Sequence, residues 1–380
     1  MKIISRLVAC SAVGFLFASA WAPAARAQGP SSNVSVFASG LNNPRGLKFG
    51  PDGYLYVAEG GAAGSTSTVG TCDQVPAPVG PYTGGFSSRI SKIDKDGSRT
   101  TVADNLPSSE TAATQGNLVS GVADVAFIGH TLYAITAGSG CSHGLVHTDN
   151  AVIKVNPNGT WSIVANLSAF QKAHPVANPE PDDFEPDGTW YSMVAVRGKL
   201  YAVEPNHGEL DAISPDGSIR RVADISASQG HIVPTAVAYN GNFFVGNLNT
   251  FPIQEGSSKI LKITPSGRVK TVVTGVTTVL GLAFDREGYL YILENTTGNL
   301  FPTPFTGKVL RVTENGLEEI ASGLFLPTAM TFGPDGLLYV SNVGFGPPPV
   351  GLGEIVRITV PPVSPRDRHD HKSQDSEIDD

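Results

Sequence analysis

The sequence predicts an all-β fold: a six-bladed β-propeller with four antiparallel strands per blade, its ring closed by the N-terminal strand. Three observations predict it. The 380 residues include 43 Gly and 28 Pro but only 16% charged residues, so turns displace the salt-bridged helix surfaces of an average domain. One strand–turn–strand pattern recurs six times at a spacing that settles near about 45 residues, the length of a four-stranded propeller blade. The last repeat lacks a fourth strand, and an unpaired strand of the right kind stands at the start of the chain. A hydrophobic content of 41% supplies a core and argues against disorder.

In chain order, Lys2 and Arg6 precede an apolar run from Leu7 to Trp21 and the small-x-small triplet Ala25-Arg26-Ala27. This is the layout of a secretory signal peptide cleaved after Ala27, and the protein is expected to be secreted or periplasmic. Ser11, Gly14 and Ser19 interrupt the run, which is too short for a membrane span. Residues 1–27 therefore read as signal, 28–363 as one propeller, and 364–380, polar and acidic, as a disordered tail. Asn33–Ala38 followed by Ser39-Gly40-Leu41 matches Leu317–Ala321 with Ser322-Gly323-Leu324, a fourth strand in the fifth repeat. It is the expected closing strand, and pairing it with the last blade removes two open sheet edges.

The repeats read PRGLKFGPDGYLYVAE (44–59), VADVAFIGHTLYAIT (122–136), WYSMVAVRGKLYAVE (190–204), PTAVAYNGNFFVGN (234–247), LGLAFDREGYLYILE (280–294) and PTAMTFGPDGLLYVSN (327–342). Each supplies the inner two strands of a blade. The outer two follow around turns such as Lys95-Asp96-Gly97, Asn156-Pro157-Asn158-Gly159, Pro215-Asp216-Gly217, Pro265-Ser266-Gly267 and Glu314-Asn315-Gly316. Their glycines provide the positive φ that tight hairpins require.

Strand alternation sorts the connections by face. First-to-second and third-to-fourth connections are short and share a bottom face. Second-to-third loops and blade-to-blade links hold every long insertion, including 60–87, 106–120, 137–150 and 168–189, and share the top face. Long loops in a compact domain are usually functional, so the top face is the expected site. Once Cys10 leaves with the signal, Cys72 and Cys141 remain, in equivalent loops of neighbouring blades on that face. A disulfide between them is expected.

Six equivalent positions close the second strands: Glu59, Thr136, Glu204, Asn247, Glu294 and Asn342. All can offer oxygen to a hard cation, and calcium takes six to eight such ligands. Side chains of this kind also cap strand ends by bonding loop backbone. Both readings stand: a top-face ligand site at Glu59, Asp124, Glu204, Asn247, Glu294 and Asn342, with Glu59, Glu204 and Glu294 as metal ligands and calcium as the cofactor, or a set of caps. Asp124 enters as the one acid among small residues (Gly46, Ser192, Ala236, Gly281, Ala329) where inner strands converge, with Arg45 at a neighbouring level. It is either a channel-mouth ligand or half of an internal ion pair. Gly140-Cys141-Ser142-His143-Gly144 matches the Gly-x-Ser-x-Gly elbow in letters, but no helix is predicted after it, so the match reads as chance. His143, His147, His174, His207 and His231 fall on top-face loops without metal-site spacing.

Beyond the repeat itself, the wording of blade four (PTAVAYNGNFFVGNLNTFPIQEGSSKILKI), of LYAVEPNHGELDAISPDG and of LYVSNVGFGPPPVGLGEIVRI resembles the ScyD/ScyE family, over roughly Asn33 to Val360. The resemblance implies an exported NHL-like six-bladed propeller and carries no established activity or catalytic residues. At the level of fold the pattern is also similar to quinoprotein sugar dehydrogenases and metal-dependent lactonases, which by itself says nothing about chemistry. The expected role is a monomeric binding or scaffold module that recognises a small molecule, glycan or protein with its top-face loops. The alternatives are a calcium-dependent lactonase-like hydrolase and a quinone-dependent sugar dehydrogenase-like oxidoreductase. A net charge of −8 argues against nucleic acid as a partner.

Overall fold

A strand sandwiched between two neighbouring sheets must be apolar on both faces. The second strands meet that demand: Leu55–Glu59, Leu290–Glu294 and Leu338–Asn342 are buried along almost their whole length. The computed structural model describes residues 29–363 apart from 180, 182–183, 299 and 345–350. The expected signal peptide and acidic tail lie outside the described residues.

Six antiparallel blades follow one another around an axis. Blade 1 runs Pro44–Phe49, Leu55–Glu59, Thr83–Ile93 and Arg99–Glu110, with the short Val119–Ser120 added at its edge. Blade 2 runs Val122–Ile128, Thr131–Thr136, Ala151–Val155 and Trp161–Asn166. Blade 3 comprises Ser192–Val196, Lys199–Glu204, Glu209–Ile213 and Ile219–Asp224; blade 4 comprises Pro234–Asn240, Asn242–Asn247, Ser258–Ile263 and Val269–Val276. Blade 5 is Val279–Phe284, Leu290–Glu294, Gly307–Thr313 and Gly316–Leu324. Blade 6 is Ala329–Phe332, Leu338–Asn342, Gly353–Ile358 and Val34–Leu41.

The period-2 alternation of each strand sends successive side chains to opposite neighbours. Leu55 and Val57 pack toward blade 6, whereas Ala58 packs toward blade 2. The core is thus divided into apolar clusters at the interfaces between adjacent blades, one for each of the six interfaces. Closure is by the expected strand: Val34–Leu41 pairs antiparallel with Gly353–Ile358, from Val34 opposite Ile358 to Leu41 opposite Gly353. Ala38 and Leu41 then enter the cluster shared by blades 6 and 1 with Leu47, Leu55, Val57, Ile93, Tyr339 and Ile355. The Asn33 amide donates to Ile320 O at 2.9 Å and Thr359 O at 3.1 Å, fastening the strand's start to blades 5 and 6.

Two features differ from the sequence expectation. The outer hairpin of blade 1 extends into residues that the sequence assigns to the top-face segments 60–87 and 106–120. Gly84 and Gly85 pair with Ser109 and Ser108, so the hairpin rises over the top face. Small and polar residues there carry no apolar alternation, which is why the pattern reads as loop. The link after blade 2 contains a helix, Leu167–Ala173, whose Asn166 side chain caps the Ala169 N–H at 2.8 Å. Cys72 and Cys141 are joined as a disulfide, with their Cα atoms 6.3 Å apart.

If closure holds the ring, Leu41→Ala should lower unfolding stability by about 2–5 kcal/mol, the range for emptying a fully buried leucine site. Val36→Ala on the same strand, at a side chain 57% exposed, should change it by no more than about 0.5 kcal/mol. Denaturant melts of the two variants check this; equal effects would contradict it.

Candidate functional site

Inner strands that converge on an axis leave little room for side chains. A Cβ at Gly46 would lie 1.9 Å from Asp124 Oδ1, so glycine there makes space for the aspartate. Asp124 Oδ1 accepts the Val125 N–H at 2.8 Å, and Oδ2 accepts the Met193 N–H at 2.8 Å and the Ser192 hydroxyl at 3.3 Å. Asp124 therefore pins the inner strands of blades 2 and 3 together. Burial raises its pKa, opposed by Lys48 and these donors.

The residues that close the second strands occupy one recurring position. The incoming link from the previous blade passes beside that position and needs its backbone groups paired. Glu59 accepts the Asn42 N–H at 2.6 Å, Glu204 the Thr189 N–H at 2.8 Å, Glu294 the Thr277 N–H at 2.6 Å and Asn342 the Phe325 N–H at 2.9 Å. Asn247 donates to Ile232 O at 2.8 Å. Each also reaches across or along its own blade: Glu59 to Arg89 at 2.7 Å, Glu204 to the His207 N–H at 2.5 Å, Asn247 to the Lys259 N–H at 2.8 Å, Glu294 to Lys308 at 3.5 Å and Asn342 to Glu354 at 2.7 Å. Thr136 bonds the Ala151 N–H at 2.9 Å. Symmetry brings these side chains to the same place in every blade, each among its own blade's partners. Among the described residues no three or more His, Cys, Asp or Glu side chains group so as to hold a metal ion. Dispersed among separate blades and bonded to their own partners, these donors do not fit calcium.

The top face does contain a half-open cavity of about 140 Å³. It is lined by inner-strand residues of blades 1, 2, 4 and 5 (Arg45, Ala123, Thr235, Leu280) and by top-face loops carrying Val79, Tyr82, Leu118, Glu185, Thr189, Trp190, Tyr191 and Phe251. Its walls are mainly apolar and aromatic, with few polar groups, the usual make-up of a small-molecule site. The Arg45 guanidinium donates to Val119 O and to the Tyr191 hydroxyl at 3.4 Å and lies 5.8 Å from the Tyr191 ring centre. Facing the same cavity, Glu185 is only 3% exposed. Its Oε1 accepts the Tyr82 hydroxyl at 2.6 Å. Oε2 lies 3.4 Å from His143 Nε2 and, among the described residues, accepts no hydrogen bond; Thr189 Oγ1 is likewise unpaired.

His143 supports Glu185 from behind. Its Nε2 is 3.3 Å from Gly188 O and its Nδ1 is 3.0 Å from Ser109 Oγ. A carbonyl only accepts, so the proton sits on Nε2 and Nδ1 accepts from the serine. Neither Ser109 nor His143 lines the cavity. Ser142 donates to Asp187 Oδ2 at 2.7 Å rather than to a base, within a single turn of 3₁₀ helix, so the Gly-x-Ser-x-Gly letters form no nucleophile elbow. A wider groove of about 770 Å³ runs between blades 1 and 2 past Lys92, Lys154 and Asn158. Among the described residues none of the unpaired buried polar atoms lies on it.

Blade 3 buries Glu204, His207, Glu209 and Asp211 together. Burial opposes the charge on Glu204, but His207 and two N–H groups outweigh it and hold the carboxyl below its usual range. Burial likewise opposes charge on His207, and Glu204, Glu209 and Glu185 overcome it. For Asp211 the compensation falls short. Burial and then Glu209 push its carboxyl well above the usual range, with Arg221 opposing.

The sequence pattern points to the top-face loops, which form this cavity, but does not single out Glu185, Thr189, Trp190, Tyr191 or Phe251. A signal is present in residues 184–191, where acids and aromatics crowd into the longest blade-to-blade link.

No protein-family model and no curated protein matches the chain. Solved structures do. An oxidoreductase from Thermus thermophilus, provisionally assigned as a glucose dehydrogenase, is 17% identical, covers 86% of this chain and 99% of its own, and has a TM-score of 0.53. A gluconolactonase from Xanthomonas campestris is 11% identical over 86% of this chain and 89% of its own, with a TM-score of 0.50. A Bacteroides thetaiotaomicron protein of unknown function is 12% identical over 87% and 76%, with a TM-score of 0.54. At these identities the likeness is one of fold.

The electrostatics of blade 3 give a pH test. An acid whose folded pKa is raised contributes stability below its unfolded pKa and loses it as pH rises through the folded value. Asp211→Asn removes this dependence. Its stability relative to the wild type should therefore climb between pH 5 and pH 8, by up to about 1.4 kcal/mol per pH unit. Thermal melts across that range check it; a gap that stays constant or shrinks would show Asp211 to be charged in the fold.

Proposed function

We propose that the protein is an exported binding module that holds a small, largely apolar molecule in the top-face cavity. The observation that carries this reading is a half-open top-face cavity whose walls are mainly apolar and aromatic and include the polar side chains of Arg45, Glu185 and Thr189. The loops that supply Val79, Tyr82 and Ala137 to the walls are those joined by the Cys72–Cys141 disulfide. A disulfide also accords with an oxidising compartment, and so with export. The reading agrees with the ScyD/ScyE resemblance, which likewise implies an exported propeller without an assigned reaction.

In this account Glu59, Glu204, Asn247, Glu294 and Asn342 staple each blade to the link that enters it, and Asp124 pins the inner strands. They shape the site without touching the ligand. The lactonase-like alternative requires a metal that the donors here do not suit, and no observation favours the dehydrogenase-like one.

A thermal-shift screen of small aromatic and aliphatic molecules tests the reading, since a ligand raises the melting temperature by mass action. Hits should stabilise the wild type and lose their effect in Gln115→Trp and Leu248→Trp, which fill the rim and wall of the cavity. Hits that act equally on both variants would place binding elsewhere.

A further inference from the structure

Blade 3 grips the link that enters it from blade 2 on two stretches, 171–178 and 184–190. On the outgoing stretch the Gln171 amide donates to Glu209 Oε1 at 3.4 Å. Arg221 pairs with Glu209 and donates to the carbonyls of His174 and Pro175. The Ala177 N–H reaches Asp224 at 2.8 Å, and the Asn178 N–H reaches Ser226 Oγ at 3.0 Å. On the returning stretch Phe184 packs edge-to-face on His207, with ring centres 5.0 Å apart. The Thr189 N–H donates to Glu204 at 2.8 Å, and the Trp190 side chain lies beside Asp211.

We infer that this link is a pH-sensitive strap: buried ionisable side chains of blade 3 hold it down at neutral and mildly acidic pH, and it comes away as the solution turns alkaline. The strap goes beyond the pocket reading and does not rest on it.

Charge balance gives the direction. Glu204, Glu209 and Asp211 are fully buried on one face of blade 3, and Glu185 of the link adds a fourth carboxyl toward His207. Two cations answer them, Arg221 and a protonated His207. His143, on the other side of Glu185, directs its Nε2 proton to Gly188 O. Lys172 is engaged with Asp187 of the link itself. Burial penalises each unmatched charge, so the grip depends on protons that the cluster retains.

Those protons are held at three places. Burial and then Glu209 raise Asp211. Burial raises Glu209 as well, with Arg221 opposing and Glu204 adding to the rise. His207 is raised by Glu204, Glu209 and Glu185 in spite of its burial. A group whose folded pKa is raised contributes stability below its unfolded value and loses it as pH rises through the folded one. All three groups therefore weaken the grip in the same direction, toward alkaline pH. Glu204, held low, acts only in acid.

The link stays moored to blade 2 meanwhile. Asp187 Oδ2 accepts the Ser142 hydroxyl at 2.7 Å, and Gly188 O accepts the Asn150 amide at 2.6 Å. Burial opposes the charge on Asp187, but Lys172 and Ser142 outweigh it and hold the carboxyl low. Release thus lifts the link from blade 3 and carries with it the cavity wall at Glu185 and Thr189.

Amide hydrogen exchange of the purified protein at pH 6 and pH 9, with each rate divided by that of an unstructured peptide at the same pH, tests this. The wild type should lose at least about tenfold in protection over 171–178 and 184–189 at pH 9, while the blade-6 strand Leu338–Asn342 stays within about threefold. In Asp211→Asn, and separately in Glu209→Gln, the loss over the link should be at least about threefold smaller. The wild-type comparison decides the matter even if neither variant folds. No loss over the link, or an equal loss in Leu338–Asn342, would overturn the strap. So would a loss that both folded variants leave unchanged.

Discussion

Closure is the constraint on which this structure depends. Six sheets arranged around an axis bury their faces against one another, so each interface needs both of its neighbours. An open ring would expose two sheet faces and two unpaired edges at once. The pairing of Val34–Leu41 with Gly353–Ile358 removes that fault by making the first strand of the chain the last strand of the last blade. Its buried side chains do more than complete blade 6, because Ala38 and Leu41 also seal the junction with blade 1. The crowded inner strands, the small residues on them and the position of Asp124 over Gly46 all presuppose a closed ring.

A closed ring also creates the demand that the second-strand ends answer. Every blade is entered by a link that crosses from the outer edge of its predecessor to the axis, and the polar groups of that link must be paired. Glu59, Glu204, Glu294 and Asn342 accept from it, and Asn247 donates to it. Placing carboxylates at such depth is workable only with partners, which explains why Arg89, His207 and Lys308 stand beside the three glutamates. Blade 3 departs from this economy. Its Asp211 is buried beside Glu209, and Arg221 and the Trp190 side chain offset the cost only in part.

Most of the fold was legible because a propeller repeats itself. The inner-strand pattern, the Asp-Gly and Asn-Gly turns and the unpaired first strand are local signals, and they fix blade number, strand order and the closing pair. The cysteines became readable only after the blades were aligned, when Cys72 and Cys141 fell into equivalent loops of adjacent blades. The site was less legible for a physical reason. Periodicity marks whatever recurs in each blade, and what recurs is the staple at each second-strand end. A cavity that breaks the symmetry is built from residues that do not recur. Glu185, Thr189, Tyr191 and Phe251 meet Arg45 through loops whose course no repeat predicts, and the hairpin that carries Gly84 and Gly85 has no apolar alternation to reveal it.

The central claim is that the asymmetric top-face cavity, rather than the symmetric ring of acids, is where the protein meets its ligand. Hydrogen-exchange mass spectrometry, with and without a saturating thermal-shift hit, measures this directly. The account predicts added protection in residues 111–121, 185–191 and 248–251, with the bottom-face turns at Lys95-Asp96-Gly97 and Pro215-Asp216-Gly217 unchanged. Protection spread evenly over the second-strand ends of all six blades, or confined to the bottom turns, would contradict it.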